Sequence, residues 1–116
     1  MIIPVRALMP CATALYVISA FSDAGAWAGS QGKPATHLIT IENMVYTPAQ
    51  LEVRPGDWVV FSNKDLFPHT VTADGKAFES NGIAANGSWK YRTTSPGVYS
   101  YHCTFHPTMQ GKLTVR

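Results

Sequence analysis

Four side chains in this sequence have the types and the spacing of a metal site. In the segment Cys103-Thr104-Phe105-His106-Pro107-Thr108-Met109, a thiol, an imidazole and a thioether follow one another at intervals of three residues. A second imidazole, His69, lies upstream in the segment Phe67-Pro68-His69. Two imidazoles and a thiolate in one plane, with a weakly bound thioether above it, form a known copper ligand set. We therefore predict one copper ion per chain, bound by His69, Cys103, His106 and Met109.

The predicted ligands favour one-electron chemistry over catalysis. Thiolate and thioether sulfurs stabilise Cu(I), whereas imidazole nitrogens bind both oxidation states, so this ligand set is typical of blue-copper electron-transfer sites. A catalytic metal site keeps one coordination position open for its substrate. Because protein side chains fill all four positions here, we predict an electron carrier that is not itself an enzyme.

Three other interpretations use the same residues. Zinc also binds cysteine and histidine, but it prefers closed Cys/His tetrads, and methionine is a poor zinc ligand. A Cys/His pair can act as nucleophile and base, yet the loop around Cys103 and His106 contains no carboxylate that would orient the imidazole. A protein that delivers or buffers copper is the main alternative, although the sequence lacks the exposed Met/His-rich cluster expected of such a protein.

The amino-terminal residues have the features of a secretory signal peptide. Arg6 precedes an uncharged stretch over residues 7–22, and Ala26 and Ala28 provide the small residues of a cleavage site. The stretch is shorter than the roughly 20 residues that a membrane span needs, so an uncleaved anchor is the less favoured alternative. We predict that residues 1–28 are removed, which leaves an exported protein without a membrane anchor.

Removal of this segment would leave a single thiol. The chain has two cysteines, Cys11 and Cys103, and Cys11 lies within the predicted signal peptide. An unpaired thiol is prone to oxidation in an oxidising compartment unless something occupies it. A role for Cys103 as a metal ligand meets this requirement.

Length and charge exclude several classes of protein. A chain of 116 residues supports one domain with one core. The formal net charge is only +2, and the charges are scattered without a basic stripe, so we predict no nucleic-acid partner. We expect a flexible lead-in over residues 29–35 and one domain over residues 36–116, in a protein that is a monomer.

The sequence pattern from Thr36 onward predicts an all-β fold. Short runs of alternating apolar and polar residues are separated by Pro/Gly turns, which is typical of a β-sandwich or barrel, here of about seven to eight strands. The predicted strands are His37–Ile41, Met44–Tyr46, Leu51–Val53, Trp58–Phe61, His69–Thr72, Trp89–Thr93, Val98–Cys103 and Lys112–Val115. We expect an irregular connection over residues 74–87, with one short strand around Ala77-Phe78. The predicted core aromatic residues are Trp58, Phe61, Trp89 and Tyr91.

These segments make the sequence similar to the cupredoxins, the family of small blue type 1 copper proteins. The similarity is carried by Val53-Arg54-Pro55-Gly56-Asp57, Asn63 with Asp65, His69-Thr70-Val71-Thr72-Ala73-Asp74, Tyr99-Ser100-Tyr101-His102-Cys103-Thr104 and Met109-Gln110-Gly111-Lys112. Within the family the chain resembles the plastocyanin and amicyanin group, and amicyanin most, because two residues separate successive ligands in the loop. The resemblance covers residues 36–116 and implies a Greek-key β-sandwich. It also implies electron transfer between redox protein partners in the periplasm.

Two positions depart from the pattern of the relatives. Thr70 stands where relatives commonly have an asparagine that ties the two ligand loops together, so we expect a weaker or different side-chain clamp. The Thr70 backbone N–H can still donate to the Cys103 sulfur. Phe105 stands where amicyanins have proline and, unlike proline, it has an N–H, which we expect to point at the same sulfur. We also expect Asn63 to lie in the shell of residues around the ligands.

The copper site is expected to reach the surface at one ligand. Strand alternation directs His102 away from the metal, whereas His106 lies in the loop and is expected to expose its ring edge. Phe67, Pro68 and Pro107 would then surround His106 with apolar surface. We predict that these four residues form the patch at which redox partners dock, because weak and brief complexes use small interfaces.

Overall fold

Eight β-strands make up the regular structure of residues 32–116, which are the residues that the computed structural model describes. They are β1 (Thr36–Glu42), β2 (Val45–Thr47), β3 (Gln50–Val53), β4 (Trp58–Asn63), β5 (Thr72–Ala73), β6 (Ser88–Arg92), β7 (Gly97–His102) and β8 (Gln110–Val115). In this part of the chain there is no helix of the length and apolarity needed to cross a membrane. The predicted signal peptide, residues 1–28, lies outside the described residues.

The strands form two four-stranded sheets with a shared core. The first sheet has the order β2-β1-β4-β6, and the second has the order β3-β8-β7-β5. β1 pairs with β4 in parallel, from Thr36↔Trp58 to Ile41↔Asn63, and β3 pairs with β8 in parallel. The remaining pairs of named strands are antiparallel. The all-β sandwich predicted from the sequence is confirmed, with eight strands in two mixed sheets.

Alternation along the strands builds the core between the sheets. In β4, half-buried side chains alternate with buried ones, and Val59 and Phe61 face inward. Ile39 and Ile41 of β1 and Leu113 of β8 are fully buried in the same way. β4 has a neighbour on each side, which agrees with its prediction as a central strand.

Aromatic rings connect the two sheets across the core. Tyr46 and Phe61 belong to the first sheet, and Tyr101 belongs to the second. The Tyr46 ring meets the Tyr101 ring edge to face at a centroid distance of 4.8 Å, and the Phe61 ring meets it at 5.6 Å. Each such pair adds roughly 0.5–1.5 kcal/mol beyond the burial of its apolar area. These contacts help to fix the sheets against each other.

The strand predictions fail in detail at three places. Met44 lies in the two-residue turn between β1 and β2, where Asn43 (φ 57°) and Met44 (φ 65°) both have positive φ. Of residues 69–72, only Thr72 belongs to a strand, the short β5, and His69 forms a single isolated bridge with Ile83. No strand forms at 77–78, since Phe78 is buried as a core side chain and its backbone joins no ladder.

Trp58 was predicted in the core, but it lies on the outer face of the first sheet. Its ring is half-buried, and Lys90 lies 4.7 Å from the ring centroid. Arg92 lies over the same ring at 5.6 Å. Phe61 is buried, and Trp89 and Tyr91 pack against the core as predicted. The prediction failed for Trp58 because cations cover the ring, which gives an aromatic side chain an acceptable place on the outer face.

The turn between β3 and β4 is held by the carboxylate of Asp57. Gly56 has a φ of 91°, and the Asp57 N–H donates to the Arg54 carbonyl. Asp57 also accepts hydrogen bonds from the N–H of Ala35 (2.9 Å) and from Nε2 of His37 (3.0 Å). The last residue of the predicted lead-in is therefore tied to this turn.

Gly111 of β8 sits opposite Tyr101 of β7, where there is no room for a side chain. A Cβ at position 111 would overlap the Tyr101 ring, which is 1% exposed and cannot swing out. We expect Gly111→Ala to lower the free energy of unfolding by about 1–3 kcal/mol, measured by urea titration. In the control variant Gly75→Ala, the new methyl group meets nothing within 4 Å. Equal stability of the two variants would contradict this account.

Candidate metal centre

His69, Cys103 and His106 bring their ligand atoms together at one end of the sandwich. These atoms all lie within 4.8 Å of one another, a spacing that a single ion can bridge. His69 and Cys103 are fully buried, and His106 is half-buried. Cys103 is a free thiol, and its sulfur lies 3.8 Å from Nδ1 of His69. Within residues 32–116, no other group of three His, Cys, Asp or Glu side chains has this geometry.

Backbone hydrogen bonds fold residues 103–109 into a closed loop. The His106 N–H donates to the Cys103 carbonyl (3.2 Å), and the Met109 N–H donates to the His106 carbonyl (2.9 Å). The Cys103 N–H donates in turn to the Met109 carbonyl (3.2 Å), which joins the two ends of the loop. Met109 is 2% exposed. The loop therefore buries the predicted thioether ligand close to the backbone of Cys103.

The donor atoms gathered at this end of the sandwich fit a copper ion. Nδ1 of His106 is buried and has no hydrogen-bond partner among the residues that the structure describes, and a bound metal would satisfy it. The Cys103 thiol is enclosed as well. A thiol, two imidazole nitrogens and a buried thioether from the same loop combine soft and borderline donors, which suit both oxidation states of copper.

Asp65 fixes the orientation of the His69 ring. Oδ2 of Asp65 lies 2.7 Å from Nε2 of His69, and this nitrogen donates its proton to the carboxylate. With the proton on Nε2, Nδ1 carries the free lone pair, and Nδ1 is the atom that faces the Cys103 sulfur. A carboxylate partner also makes the imidazole a stronger electron donor toward a cation.

The same carboxylate holds the turn between β1 and β2. Asp65 accepts hydrogen bonds from the N–H groups of Asn43 (2.8 Å) and Met44 (3.1 Å), the two residues with positive φ. Burial alone would raise the pKa of Asp65, but these hydrogen bonds and the one from His69 outweigh it and hold the pKa below its ordinary value. Asp65 is therefore an anion beside His69 at neutral pH.

Asn63 supports the loop that carries His69. It is fully buried at the end of β4, and its Nδ2 donates to the carbonyls of Phe67 and Ile83, both at 2.9 Å. Its Oδ1 accepts the N–H of Asp65, also at 2.9 Å. Asn63 thus acts on the ligand through the backbone of the loop.

Thr70 links the two ligand loops. Its N–H donates to the Cys103 sulfur over 3.3 Å. Its Oγ1 accepts the N–H of Thr104 at 2.9 Å and lies 3.3 Å from the Thr104 hydroxyl. A hydroxyl therefore makes the clamp between the loops, which is a different arrangement from an asparagine side chain.

Phe105 does not make the hydrogen bond expected of it. The Cys103 sulfur has hydrogen-bond contacts with the Thr70 N–H and with His69 Nδ1, and the Phe105 N–H is not among them. The Phe105 side chain is 53% exposed, and its ring lies beside Gly82. Phe105 therefore contributes apolar surface next to the site.

The two ligand loops expose apolar side chains, one of which lies beside the His106 ring. The Phe67 ring is 48% exposed and lies 6.2 Å from the His106 ring, centroid to centroid. We call the exposed apolar residues of the two ligand loops the apolar rim, which consists of Leu66, Phe67, Pro68, Phe105 and Pro107. Leu66 and Phe105 were not predicted as part of this patch, although Leu66 is the most exposed at 87%. His102 lies outside the site and pairs with Asp74.

Two residues that act through the predicted ligands were not identified from the sequence. Asp65 had no assigned role, although a carboxylate four residues before a ligand histidine is a signal that could have been used. Tyr46 was assigned only to a strand, yet its hydroxyl donates to the Thr70 carbonyl. Nothing in the sequence marks that contact, because it depends on the packing of β2 against the His69 loop.

Comparisons with known proteins agree with the site geometry. Residues 11–115 match the cupredoxin-like domain family, so the chain belongs to this family. The chain is 30% identical to amicyanin-alpha of Methylorubrum extorquens, over 90% of this chain and 92% of the relative. It is 28% identical to amicyanin of Paracoccus denitrificans, over 85% and 88% of the two chains. A chloroplastic plastocyanin minor isoform of Arabidopsis thaliana is 30% identical over 64% of this chain and 52% of the relative.

Solved structures of amicyanin variants share the fold. A reduced amicyanin with phenylalanine in place of a proline has a TM-score of 0.65 and 32% identity, over 70% of this chain and 82% of that chain. A Cu(I) form of an amicyanin with alanine in place of a methionine has a TM-score of 0.66 and 30% identity, over 70% and 82%. The cupredoxin-like family and the cluster of His69, Cys103 and His106 together define this chain as a blue-copper electron-transfer protein. Its cofactor is copper.

The contact between Asp65 and His69 leads to a prediction for Asp65→Asn. Loss of the negative charge weakens electron donation by the imidazole, so we expect Cu(II) affinity to fall by about 10- to 100-fold and the reduction potential to rise. Competition titration and voltammetry measure the two effects. Asp74→Asn is the matched control, because it removes a carboxylate paired with His102 outside the site. Equal affinities in the two variants would show that Asp65 does not tune the ligand.

Proposed function

We propose that this protein carries single electrons between redox partners and holds its copper ion with His69, Cys103, His106 and Met109. Copper in such a ligand set supplies a one-electron couple between Cu(I) and Cu(II). The four side chains provide two imidazoles, a thiolate and a thioether. Burial of His69, Cys103 and Met109 keeps water away from three of the four donors.

One observation carries the proposal, namely a buried ligand cluster with a single half-exposed member. His106 is the predicted ligand whose ring reaches solvent, whereas the other three are buried. An electron can pass through the exposed imidazole, but a substrate has no open coordination position. This arrangement supports a carrier and argues against an enzyme.

Hydrogen bonds hold the proposed ligands in fixed places. Asp65 holds the His69 ring, the Thr70 N–H holds the Cys103 sulfur, and the closed loop holds His106 relative to Cys103. A site held in this way rearranges little when the oxidation state changes. A small rearrangement favours fast electron transfer, which is the property required of a carrier.

The apolar rim around His106 is the proposed docking surface for redox partners. It includes the predicted residues Phe67, Pro68 and Pro107 and extends to Leu66 and Phe105. Exposed apolar side chains allow close approach without the cost of desolvating charges. A small apolar patch suits complexes that must form and dissociate quickly.

The proposed location is the periplasm. The predicted signal peptide over residues 1–28 supports export, and a bound copper ion would protect the free thiol of Cys103 in an oxidising compartment. We further propose that the exported protein is a monomer without a membrane anchor, that its partners are redox proteins, and that it binds no nucleic acid.

Voltammetry combined with a chelator challenge distinguishes a carrier from a protein that delivers copper. The exported form, loaded with one equivalent of copper, is expected to give a reversible one-electron wave and to retain copper against a chelator in excess. Enclosure of three proposed ligands is the physical reason for slow release. Rapid surrender of copper without a reversible wave would favour copper delivery instead.

Leu66 provides a test of the docking surface that leaves the ligands in place. Its side chain is 87% exposed, so Leu66→Ser should not change the optical spectrum or the potential. We expect the electron self-exchange rate, measured by NMR line broadening in mixtures of the two oxidation states, to fall by about tenfold. Leu38→Ser, at a 59% exposed position on β1, is the control and should leave the rate unchanged. The same rate in both variants would refute docking through the rim.

A further inference from the structure

Tyr46 is a core residue whose hydroxyl contacts the loop that carries His69. It lies in β2, is 3% exposed, and donates a hydrogen bond of 2.5 Å from its Oη to the carbonyl of Thr70. Thr70 in turn donates its N–H to the Cys103 sulfur. Two hydrogen bonds therefore connect a core hydroxyl to the sulfur of the proposed copper ligand.

Each polar group of Thr70 has a partner. The N–H donates to the Cys103 sulfur, Oγ1 accepts the N–H of Thr104, and the carbonyl accepts the Tyr46 hydroxyl. The direction of an N–H depends on the rotation of the backbone that carries it. The N–H and the carbonyl of Thr70 lie in neighbouring peptide planes that meet at the Thr70 Cα, so a partner on the carbonyl fixes one plane and, through φ and ψ of Thr70, limits the rotation of the other.

The Tyr46 hydroxyl donates its proton to the Thr70 carbonyl, and the ring that carries it is held in place by neighbouring rings. The hydroxyl is buried and its partner is a carbonyl, which can only accept, so the hydroxyl keeps its proton and donates it. The ring is held edge to face by Phe61 at 6.4 Å and by Tyr101 at 4.8 Å. The hydroxyl of Tyr101, in contrast, is buried and has no hydrogen-bond partner among residues 32–116.

We propose that Tyr46 is a positioning residue of the copper centre, which holds Thr70 so that its N–H stays directed at the Cys103 sulfur. The inference rests on the proposed copper site. An N–H that donates to the thiolate stabilises the electron-rich sulfur of the reduced state, and hydrogen bonds around this sulfur tune the potential. Tyr46 thus raises the reduction potential through Thr70.

Tyr46→Phe and Tyr101→Phe form a matched pair of variants. Each removes one buried hydroxyl and keeps a ring in the same aromatic cluster. Within the described part of the chain, the Tyr46 hydroxyl has a hydrogen-bond partner and the Tyr101 hydroxyl has none. We expect the copper-loaded Tyr46→Phe protein to have a lower reduction potential and a shifted thiolate-to-copper absorption band. Tyr101→Phe should match the wild type in both. Equal potentials in all three proteins would overturn the proposal.

A measurement on the copper-free protein separates this inference from the proposed function. In Tyr46→Phe, hydrogen exchange of the Thr70 amide should accelerate by about tenfold relative to the Phe61 amide in the core. A general loss of stability would accelerate both amides alike and would contradict a positioning role. Failure of the wild type to bind copper would defeat the proposed function, whereas unchanged exchange at Thr70 would defeat the inference alone.

The wild-type protein offers a readout that needs no variant, should Tyr46→Phe not fold. The hydroxyl proton of Tyr46 should be protected from exchange with water and should show a nuclear Overhauser contact to Thr70. A hydroxyl proton that exchanges freely would overturn the proposal.

Discussion

The structure depends on the placement of one buried sulfur between two loops, one of which joins the two sheets. The His69 loop follows β4 of the first sheet, and the Cys103 loop joins β7 to β8 of the second. The contact of the Thr70 N–H with the Cys103 sulfur crosses from one loop to the other. The His69 loop ends at β5, and Thr72 of β5 pairs with His102 of β7, next to Cys103. The pairing of β5 with β7 in the second sheet therefore places Thr70 beside the Cys103 sulfur, and the aromatic contacts in the core hold the first sheet, from which the loop starts, against the second.

The surroundings of the ligands explain how a small domain can hold a site rigid. One carboxylate, Asp65, orients the His69 ring and also holds the turn between β1 and β2. One amide, Asn63, ties the backbone of the His69 loop to the end of β4. The same hydrogen bonds therefore hold both the fold and the site. Movement of the His69 loop would break contacts that also stabilise the turn between β1 and β2 and the end of β4. Rigidity at His69 and Cys103, with a half-exposed His106, is the combination that electron transfer needs.

Much of the fold and the ligand cluster could be predicted because the signals are local. Alternation and Pro/Gly turns predicted the all-β sandwich, and the regular spacing of Cys103, His106 and Met109 predicted the loop that the structure closes by backbone hydrogen bonds. Contacts between segments that are distant in the sequence could not be predicted, because no local pattern of residues marks them. The place of Trp58 on the outer face depends on Lys90 and Arg92 across a sheet, and the hydrogen bond from Tyr46 to Thr70 depends on packing. The N–H of Phe105 was expected at the sulfur, but the path of the loop leaves that place to Thr70.

The central claim is that the thiolate of Cys103 binds copper together with two imidazoles. The most direct test is the optical and EPR spectrum of the wild type and of Cys103→Ala, each titrated with Cu(II). The wild type should turn blue with one equivalent of copper, since a thiolate bound to Cu(II) absorbs strongly in the visible, and the variant should stay colourless. A wild type that stays colourless, or a variant that keeps the blue spectrum, would contradict the account.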